Sequence, residues 1–316
     1  MPEDKVLKKA ANAYELNWKL LTYVGGNVNH VYQYPAENGQ PSRILRLSNQ
    51  NWRNEKEALA ELHFIEYLFD NGVSVPKIFP SKAGKLVEKV TDHYHVSVFS
   101  KAPGRIPTEE DWNEKMFINW GRIVGQMHLL TKSYIPLNET KRRDWIEEPW
   151  MDMMRHLPSE EPIARQKARE MLNWLETLPK DKKNYGLVHC DLHAHNIFAT
   201  LDGTITAFDF DDCCYHWFAY DIAIILYSVI LRYNRQDNKS NTLDDNVAWF
   251  LDSFLKGYQE VHSFEDWWLK AMPKLLNYRR LLDYNFLHQR YNWDTVDSER
   301  KIRWLRLKEG LKRINR

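Results

Sequence analysis

The sequence predicts an α+β chain in two lobes: a small N-terminal lobe built on a five-stranded antiparallel sheet with one helix, then a larger, mostly helical C-terminal lobe. Three observations predict it. Short runs suited to strands crowd the first hundred residues, at LLTYV, HVYQY, RILRL, LVEKV and YHVSVFS. From Thr108 onward the apolar spacing becomes that of helices almost to the end of the chain. Between the two regimes, Ser100-Lys101-Ala102-Pro103-Gly104-Arg105-Ile106-Pro107 carries two prolines and a glycine, the punctuation of a connector. The predicted division is residues 1–100, a connector at 101–107, and residues 108–316.

In the first lobe, Gly25-Gly26-Asn27-Val28-Asn29 separates the first two strands. Between paired strands, so small a loop lays backbone N–H groups against phosphate oxygens or else makes a routine hairpin turn. On the third strand, Arg46 shares a face with Ile44 instead of standing in a solvent row by default. A helix at about 54–71 follows, with Ala58, Leu62 and Ile65 on one face and Gly72 as its stop signal. Its glutamates include Glu57 and Glu61, one turn apart on the same side, either of which is explained equally well by a solvated helix face.

In the second lobe, Thr108-x-x-Asp111 has capping-box spacing and is expected to open a helix to about Leu130, with His128 packed near its end. Residues Lys132 to Pro149 read as an insertion before a short helix at Trp150 to His156, and another helix spans Ile163 to Leu178. After residue 212, FAYDIAIILYSVIL forms an apolar helix with one carboxylate, Asp221, which must find donors because burying it alone costs several kcal/mol. Helices are expected at Leu243 to Glu260, Phe264 to Ala271 and Pro273 to Tyr291. Their aromatic residues (Trp249, Trp267, Trp268, Tyr278, Tyr284, with Trp293 just beyond) suit core filling better than a substrate wall. The last helix, Ser298 to Asn315, is basic; a solvated face over a buried stripe of Ile302, Leu305, Leu311 and Ile314 explains it.

The stretch LVHCDLHAHNIFATLDGTITAFDFDD, residues 187–212, concentrates the chemistry. Asp202-Gly203 between two apolar runs is a hairpin signal, so Asn196 and Asp209 are expected to meet at its open end. A carboxamide beside a carboxylate is an incomplete oxygen cage. It suits a magnesium ion that keeps waters and takes further ligands from a phosphate. Asp191, left over, is placed to accept the hydrogen bond of an attacking hydroxyl and aim it at phosphorus. Such residues in loops usually only cap turns, but seldom in this order between two strands.

His189-x-Asp191-x-x-x-x-Asn196 followed by Asp209-Phe210-Asp211 resembles the catalytic and metal-binding loops of the aminoglycoside phosphotransferase and choline kinase-like family, relatives of protein kinases. The resemblance spans roughly residues 20–290 and is sharp only around 189–212. It implies a bilobal, protein-kinase-like fold with ATP, or GTP, in the cleft between lobes and transfer of its γ-phosphoryl group to a small-molecule hydroxyl. It implies magnesium on Asn196 and Asp209, phosphate contacts from the Gly25-Gly26-Asn27 loop and the third strand, and a purine edge along Phe99, Ser100 and Lys101. Arg46 is a departure, standing where the family commonly has lysine; it keeps the charge but changes the geometry. The family pairs that cation with a helix glutamate, here Glu61, with Glu57 as rival. His189 is expected to be structural, Asp221 to brace the catalytic loop, and Asp211 to support the metal or face the substrate.

Composition narrows the alternatives. With 43% hydrophobic and 28% charged residues the chain is an ordinary globule, and a net charge of +1 offers no field that selects nucleic acid or membrane. MPEDKVLKKAANAY holds no signal-length apolar run, and three cysteines, Cys190, Cys213 and Cys214, fit a reducing compartment. A cytoplasmic monomer or homodimer is expected. The cysteines, all beside the proposed site, are read as buried fillers, with redox sensitivity as the alternative. Rival functions are a protein Ser/Thr kinase of the same fold, against which stands the lack of a recognisable Ala-Pro-Glu segment, and a non-catalytic nucleotide-binding relative. A retired site has no physical reason to retain Asp191, Asn196 and Asp209 together.

Overall fold

Alternation along the early strands becomes sheet because each face has something to bury against. The computed structural model describes residues 2–26, 28–37, 39–137, 140–234, 243–291, 293 and 295–312. The small lobe holds α1 (Asp4–Ala13), β1 (Thr22–Gly25), β2 (His30–Tyr34), β3 (Arg43–Asn49), α2 (Glu55–Asp70), β4 (Ile78–Phe79), β5 (Glu88–Lys89) and β6 (Tyr94–Ser100). Its sheet is antiparallel in the order β1-β2-β3-β6-β4, with β5 also on β6. Opposite residues share a face, so the register Leu45↔Val98 and Leu47↔Val96 builds one apolar face, and Arg46↔Ser97 and Ile44↔Phe99 build the other.

The apolar face is covered by α1, whose Val6, Ala10 and Ala11 join Leu45, Leu47, Val96 and Val98 in a cluster of their own. The other face looks toward α2, whose Ala58, Leu62 and Ile65 belong to the cluster that continues through the large lobe. The expectation of five strands and one helix is therefore corrected to six strands and two helices. β4 is two residues long between Pro76 and Pro80, too short to alternate, and α1 shows its apolar stripe mostly as alanines.

The large lobe runs α3 (Glu114–Thr131), α4 (Met153–His156), α5 (Pro162–Glu176), β7 (Tyr185–Val188), β8 (Ile197–Ala199), β9 (Ile205–Ala207), β10 (Cys214–Trp217), α6 (Phe218–Tyr233), α7 (Leu243–Gln259), α8 (Asp266–Arg290) and α9 (Ser298–Lys312). The Thr108–Asp111 box closes around a short 3-10 turn instead of opening α3. α3 begins under its own cap, Asn113, whose side chain accepts the Met116 N–H at 3.0 Å. α3 and α7 cross closely because a Cβ on Gly257 would lie 1.8 Å from the Ile118 carbonyl oxygen, and one on Gly121 equally close to that of Phe254.

Two further expectations change. The helices expected on either side of Met272 are one continuous α8 with Pro273 inside. The proline forfeits one backbone bond, and the buried Trp268, Met272, Leu275 and Tyr278 hold the turns on both sides in place. On α9 the buried side chains are Leu307 and Leu311, while Ile302 and Leu305 are exposed; Ile314 lies outside the described residues. Trp268, Tyr278 and Tyr284 fill the core as expected, and Trp249 is exposed at its edge.

Candidate active site

β7 carries the chain into the loop 189–196, and the β8–β9 hairpin returns it to residue 209. The hairpin closes as its turn residues require: Ile197 pairs with Ala207, and Phe208 N–H donates to the Asn196 carbonyl at 3.0 Å. Asn196 and Asp209 thus flank the hairpin's open end. Asn196 Nδ2 donates to the Asp191 carbonyl at 2.9 Å and to Asp191 Oδ2 at 3.3 Å. With its donor used up, the carboxamide keeps Oδ1 for a ligand.

Two residues here take left-handed backbone, Cys190 at φ 63° and Asp209 at φ 66°. Strained backbone persists where its surroundings over-determine it, and Cys190 shows how. Its N–H donates to Asp221 Oδ1 at 2.8 Å. Asp221 Oδ2 is paired with His128 Nε2 at 3.1 Å, and His128 Nδ1 with the Tyr258 hydroxyl at 2.9 Å. Burial works to raise the Asp221 pKa, but His128 and the Cys190 N–H outweigh it and hold it below the usual carboxylate value. His189 is likewise tied inward, Nε2 to the Phe208 carbonyl at 3.0 Å, and burial lowers its pKa.

From the small lobe, Arg46 meets Glu61 through two parallel bonds, 2.8 and 2.7 Å. Glu57 is engaged elsewhere, capping α2 through the Asn54 N–H at 2.9 Å and pairing with Arg143 at 2.7 Å. Arg46 Nη1 also lies 3.9 Å from Asp209 Oδ1. Burial would lower the Arg46 pKa, but Glu61 foremost, then Asp211 and Asp209, raise it further, so the guanidinium stays charged. Gly26 lines the cleft at φ 128°, where a Cβ would lie 2.0 Å from the Asn29 carbonyl oxygen; Gly25 does not line it, and Asn27 lies outside the described residues. Asn29 closes the loop over the site by donating to Asp211 Oδ2 at 3.2 Å.

Gly26, Asn29, Arg46, Glu61, Asp209 and Asp211, with Phe99, Ser100 and Lys101, line one cleft of about 740 Å³ that also contains Asp191 and Asp212; Asn196 stands behind Asp191 and does not itself line it. Two of its carboxylates, Asp209 and Asp191, are under-neutralised. Burial pushes Asp209 up to about 7; Arg46 opposes this, while Asp211, Glu61 and Asp212 add to it, although the carboxylate is open to the cleft. Asp191 is raised well above its ordinary value by burial and by Asp212, Asp209 and Asp283, against Arg279. Among the described residues no three His, Cys, Asp or Glu side chains converge as a metal cage. A cation held by Asn196 and Asp209 would complete its shell from phosphate and water, which fits the free Oδ1 of Asn196 and the unsatisfied charge of Asp209.

Three arginines escaped the sequence reading. Arg53, just ahead of the α2 cap, gives Nη1 to Glu148 at 2.8 Å, Nη2 to Asp212 at 3.2 Å and Nε to the Asp211 carbonyl at 3.0 Å. Arg142 gives Nη2 to the same carbonyl at 2.6 Å and Nε to that of Cys213 at 2.7 Å. Segment 132–149 is thus no mere insertion: it delivers a buried guanidinium that clamps the loop after Asp209. Arg279, on α8, lies 3.7 Å from Asp191 and 3.2 Å from Asp283; its pairing four residues ahead of Asp283 was the one available signal. The cysteines are buried. Burial pushes the Cys213 thiol up to about 12 and the Cys190 thiol well above its usual value, so they stay protonated as fillers.

Residues 19–268 match the family described as "Phosphotransferase enzyme family". The chain belongs to that family. This phosphotransferase is 38% identical over 307 residues to the amicoumacin kinase of Bacillus subtilis (strain 168), covering 95% of this chain and 89% of that one. A homoserine kinase of Agrobacterium fabrum (strain C58 / ATCC 33970) is 26% identical over 246 residues, 75% of this chain and 70% of its own. Among solved structures, the amicoumacin kinase hAmiN in complex with AMP-PNP, Ca2+ and Ami superposes with a TM-score of 0.92 at 35% identity, covering 100% of this chain and 94% of that one. The microcompartment-associated aminopropanol kinase shares the fold, with a TM-score of 0.77 at 21% identity over 98% of this chain and 95% of that one. The fold is the bilobal, protein-kinase-like one, and the enzyme is an ATP-dependent phosphotransferase that acts on a small-molecule hydroxyl with a divalent metal.

Proposed function

We propose that this phosphotransferase, in the cytoplasm, transfers the γ-phosphoryl group of magnesium–ATP to a hydroxyl of amicoumacin or a closely similar compound. The observation that carries the reading is the convergence of Asp191, Asp209 and the Arg46–Glu61 pair on one cleft, with Asn196 hydrogen-bonded to Asp191 behind it, in a chain 38% identical to an amicoumacin kinase. The lobes would divide at 101–107, with the purine along Phe99, Ser100 and Lys101.

Asp191 accepts the hydrogen bond of the acceptor hydroxyl and fixes its oxygen in line with phosphorus. The hydroxyl's proton passes to that carboxylate as the new oxygen–phosphorus bond forms and the bond to the ADP leaving oxygen breaks. Asn196 and Asp209 hold the magnesium, which supplies charge neutralisation at the phosphate oxygens. Arg46, kept rigid by its two bonds to Glu61, and the backbone of the glycine loop steady the same oxygens. Asp221 and His189 hold the catalytic loop in its strained form, and Asp211 supports the metal side through Asn29. Catalysis of this kind rests on positioning and fixed charge, which explains why so many side chains near the site serve to immobilise others.

A transfer assay with magnesium–ATP over amicoumacin, homoserine, aminopropanol, ethanolamine, choline and spectinomycin tests the reading. The expected result is preferred transfer to amicoumacin; preference for another acceptor replaces the substrate, and transfer to none of them removes the assignment.

A further inference from the structure

Beyond Asp191 the cleft continues between α6, α8 and α9, where its walls change character. Leu231 of α6 and Phe286 of α8, backed by the buried Leu282, form an apolar shelf, and Arg279, Arg290 and Arg303 bring positive charge. Asp283, the carboxylate at this end, is already engaged, with Arg279 Nε at 3.2 Å and Arg303 Nη2 at 3.4 Å, and it is buried. Arg279 is shared between Asp283 and Asp191. Arg290 meets no carboxylate among the described residues; its guanidinium carbon stands 5.4 Å from the Phe286 ring centroid. The Arg303 side chain remains 54% exposed despite its contact with Asp283. The remaining cleft acids do not compensate here, because Asp211 and Asp212 sit at the metal end, held by Asn29 and Arg53.

A compact amino alcohol would leave the shelf bare and bring its ammonium toward guanidinium groups. An oxygen acceptor would instead gain charge-assisted bonds from two cations with donors to spare. Resting on the phosphotransferase reading, we propose that this end selects acceptors having an apolar body and a carboxylate or carbonyl oxygen. The body lies on Leu231 and Phe286, and the oxygen is held by Arg290 and Arg303 while the reacting hydroxyl reaches Asp191. Arg290 and Arg303 are specificity residues that touch the acceptor away from the reacting atoms.

The test is steady-state transfer to amicoumacin at saturating magnesium–ATP by wild type, Arg290→Met and Arg303→Met, together with amicoumacin binding read as a thermal shift in the presence of AMP-PNP. The acceptor KM is expected to rise about tenfold in either variant, the size of one lost charge-assisted bond. The ATP KM and kcat are expected to stay within about twofold, since neither side chain meets the reacting atoms in this scheme. Arg290→Lys should recover part of the loss. A KM that climbs with salt identifies the oxygen as a carboxylate, and one indifferent to salt a neutral carbonyl. An unmoved acceptor KM in both variants, or a loss shared equally by ATP, overturns the proposal. So does absent amicoumacin binding by enzyme that magnesium–ATP still stabilises, and the kinase reading then stands. Absent stabilisation by magnesium–ATP overturns the kinase reading itself.

Discussion

On one face of β3, Leu45 and Leu47 lie fully buried against α1; on the other, between them in sequence, Arg46 is 5% exposed against the fully buried Glu61. The two faces reach nearly the same burial by opposite means. The leucines need only volume around them, and any apolar neighbours of suitable shape supply it. Arg46 needs one particular carboxylate in one geometry, since a buried charge without its partner is costly. Burial therefore tolerates variation on the α1 face and forbids it on the cleft face. The strand's alternation is what keeps the two requirements apart.

The largest expected effect breaks the cleft side alone. Asp191→Ala should lower kcat by about a thousandfold or more, because positioning and charge carry this chemistry. Its melting temperature should not fall below that of the wild type, since the carboxylate is raised in pKa by burial and costs stability where it stands. Near-wild-type turnover by a folded Asp191→Ala enzyme would sink the assignment of the base.

Next comes a direct contest between the faces of β3. Glu61→Ala should cost about 3–5 kcal/mol in urea unfolding by stranding Arg46, and should also raise the ATP KM. Leu45→Ala should cost a similar about 2–5 kcal/mol through its cavity, yet leave the kcat of the folded fraction intact. Equal losses of activity in the two variants would erase the distinction drawn here. A milder probe is Arg46→Lys, which keeps the charge and loses the fork. The ATP KM should rise about tenfold with little change in kcat, and an unchanged KM would free the guanidinium geometry from any role.

The smallest effect concerns pH. The Asp209 pKa is raised from 3.8 to about 7 in the folded, ligand-free protein. Its penalty is absent below 3.8, grows as pH rises through that window, and is complete above 7. Asp209→Asn should therefore stabilise the ligand-free enzyme at pH 8, on the order of 1 kcal/mol because the carboxylate is half open to solvent, and should have no effect at pH 4. The same proton competes with the metal, so divalent-cation affinity should fall between pH 8 and pH 6. Thermal melts of both proteins at the two pH values check the sign, and a stabilisation that persists at pH 4 would assign it to something other than charge.

The chain's own order of residues determined a good deal. The two-lobed plan, the strand positions at 22–49 and 94–100, and the hairpin that joins Asn196 to Asp209 all followed from local periodicity and turn chemistry, which act over a few neighbours and are written where they act. Folding decided whatever depends on distant partners. It chose Glu61 over Glu57, because helix rotation and the α2 cap set which glutamate meets β3. It recruited Arg53 and Arg142 to clamp the loop after Asp209 from 158 and 69 residues away. It also spent Asp283 on Arg279 and Arg303, so that the acceptor end of the cleft faces its ligand with positive charge. An arginine's local pattern is the same whether its guanidinium ends in water or in the interior, since its charge takes its meaning from whichever carboxylate or carbonyl the finished fold brings within about 3 Å.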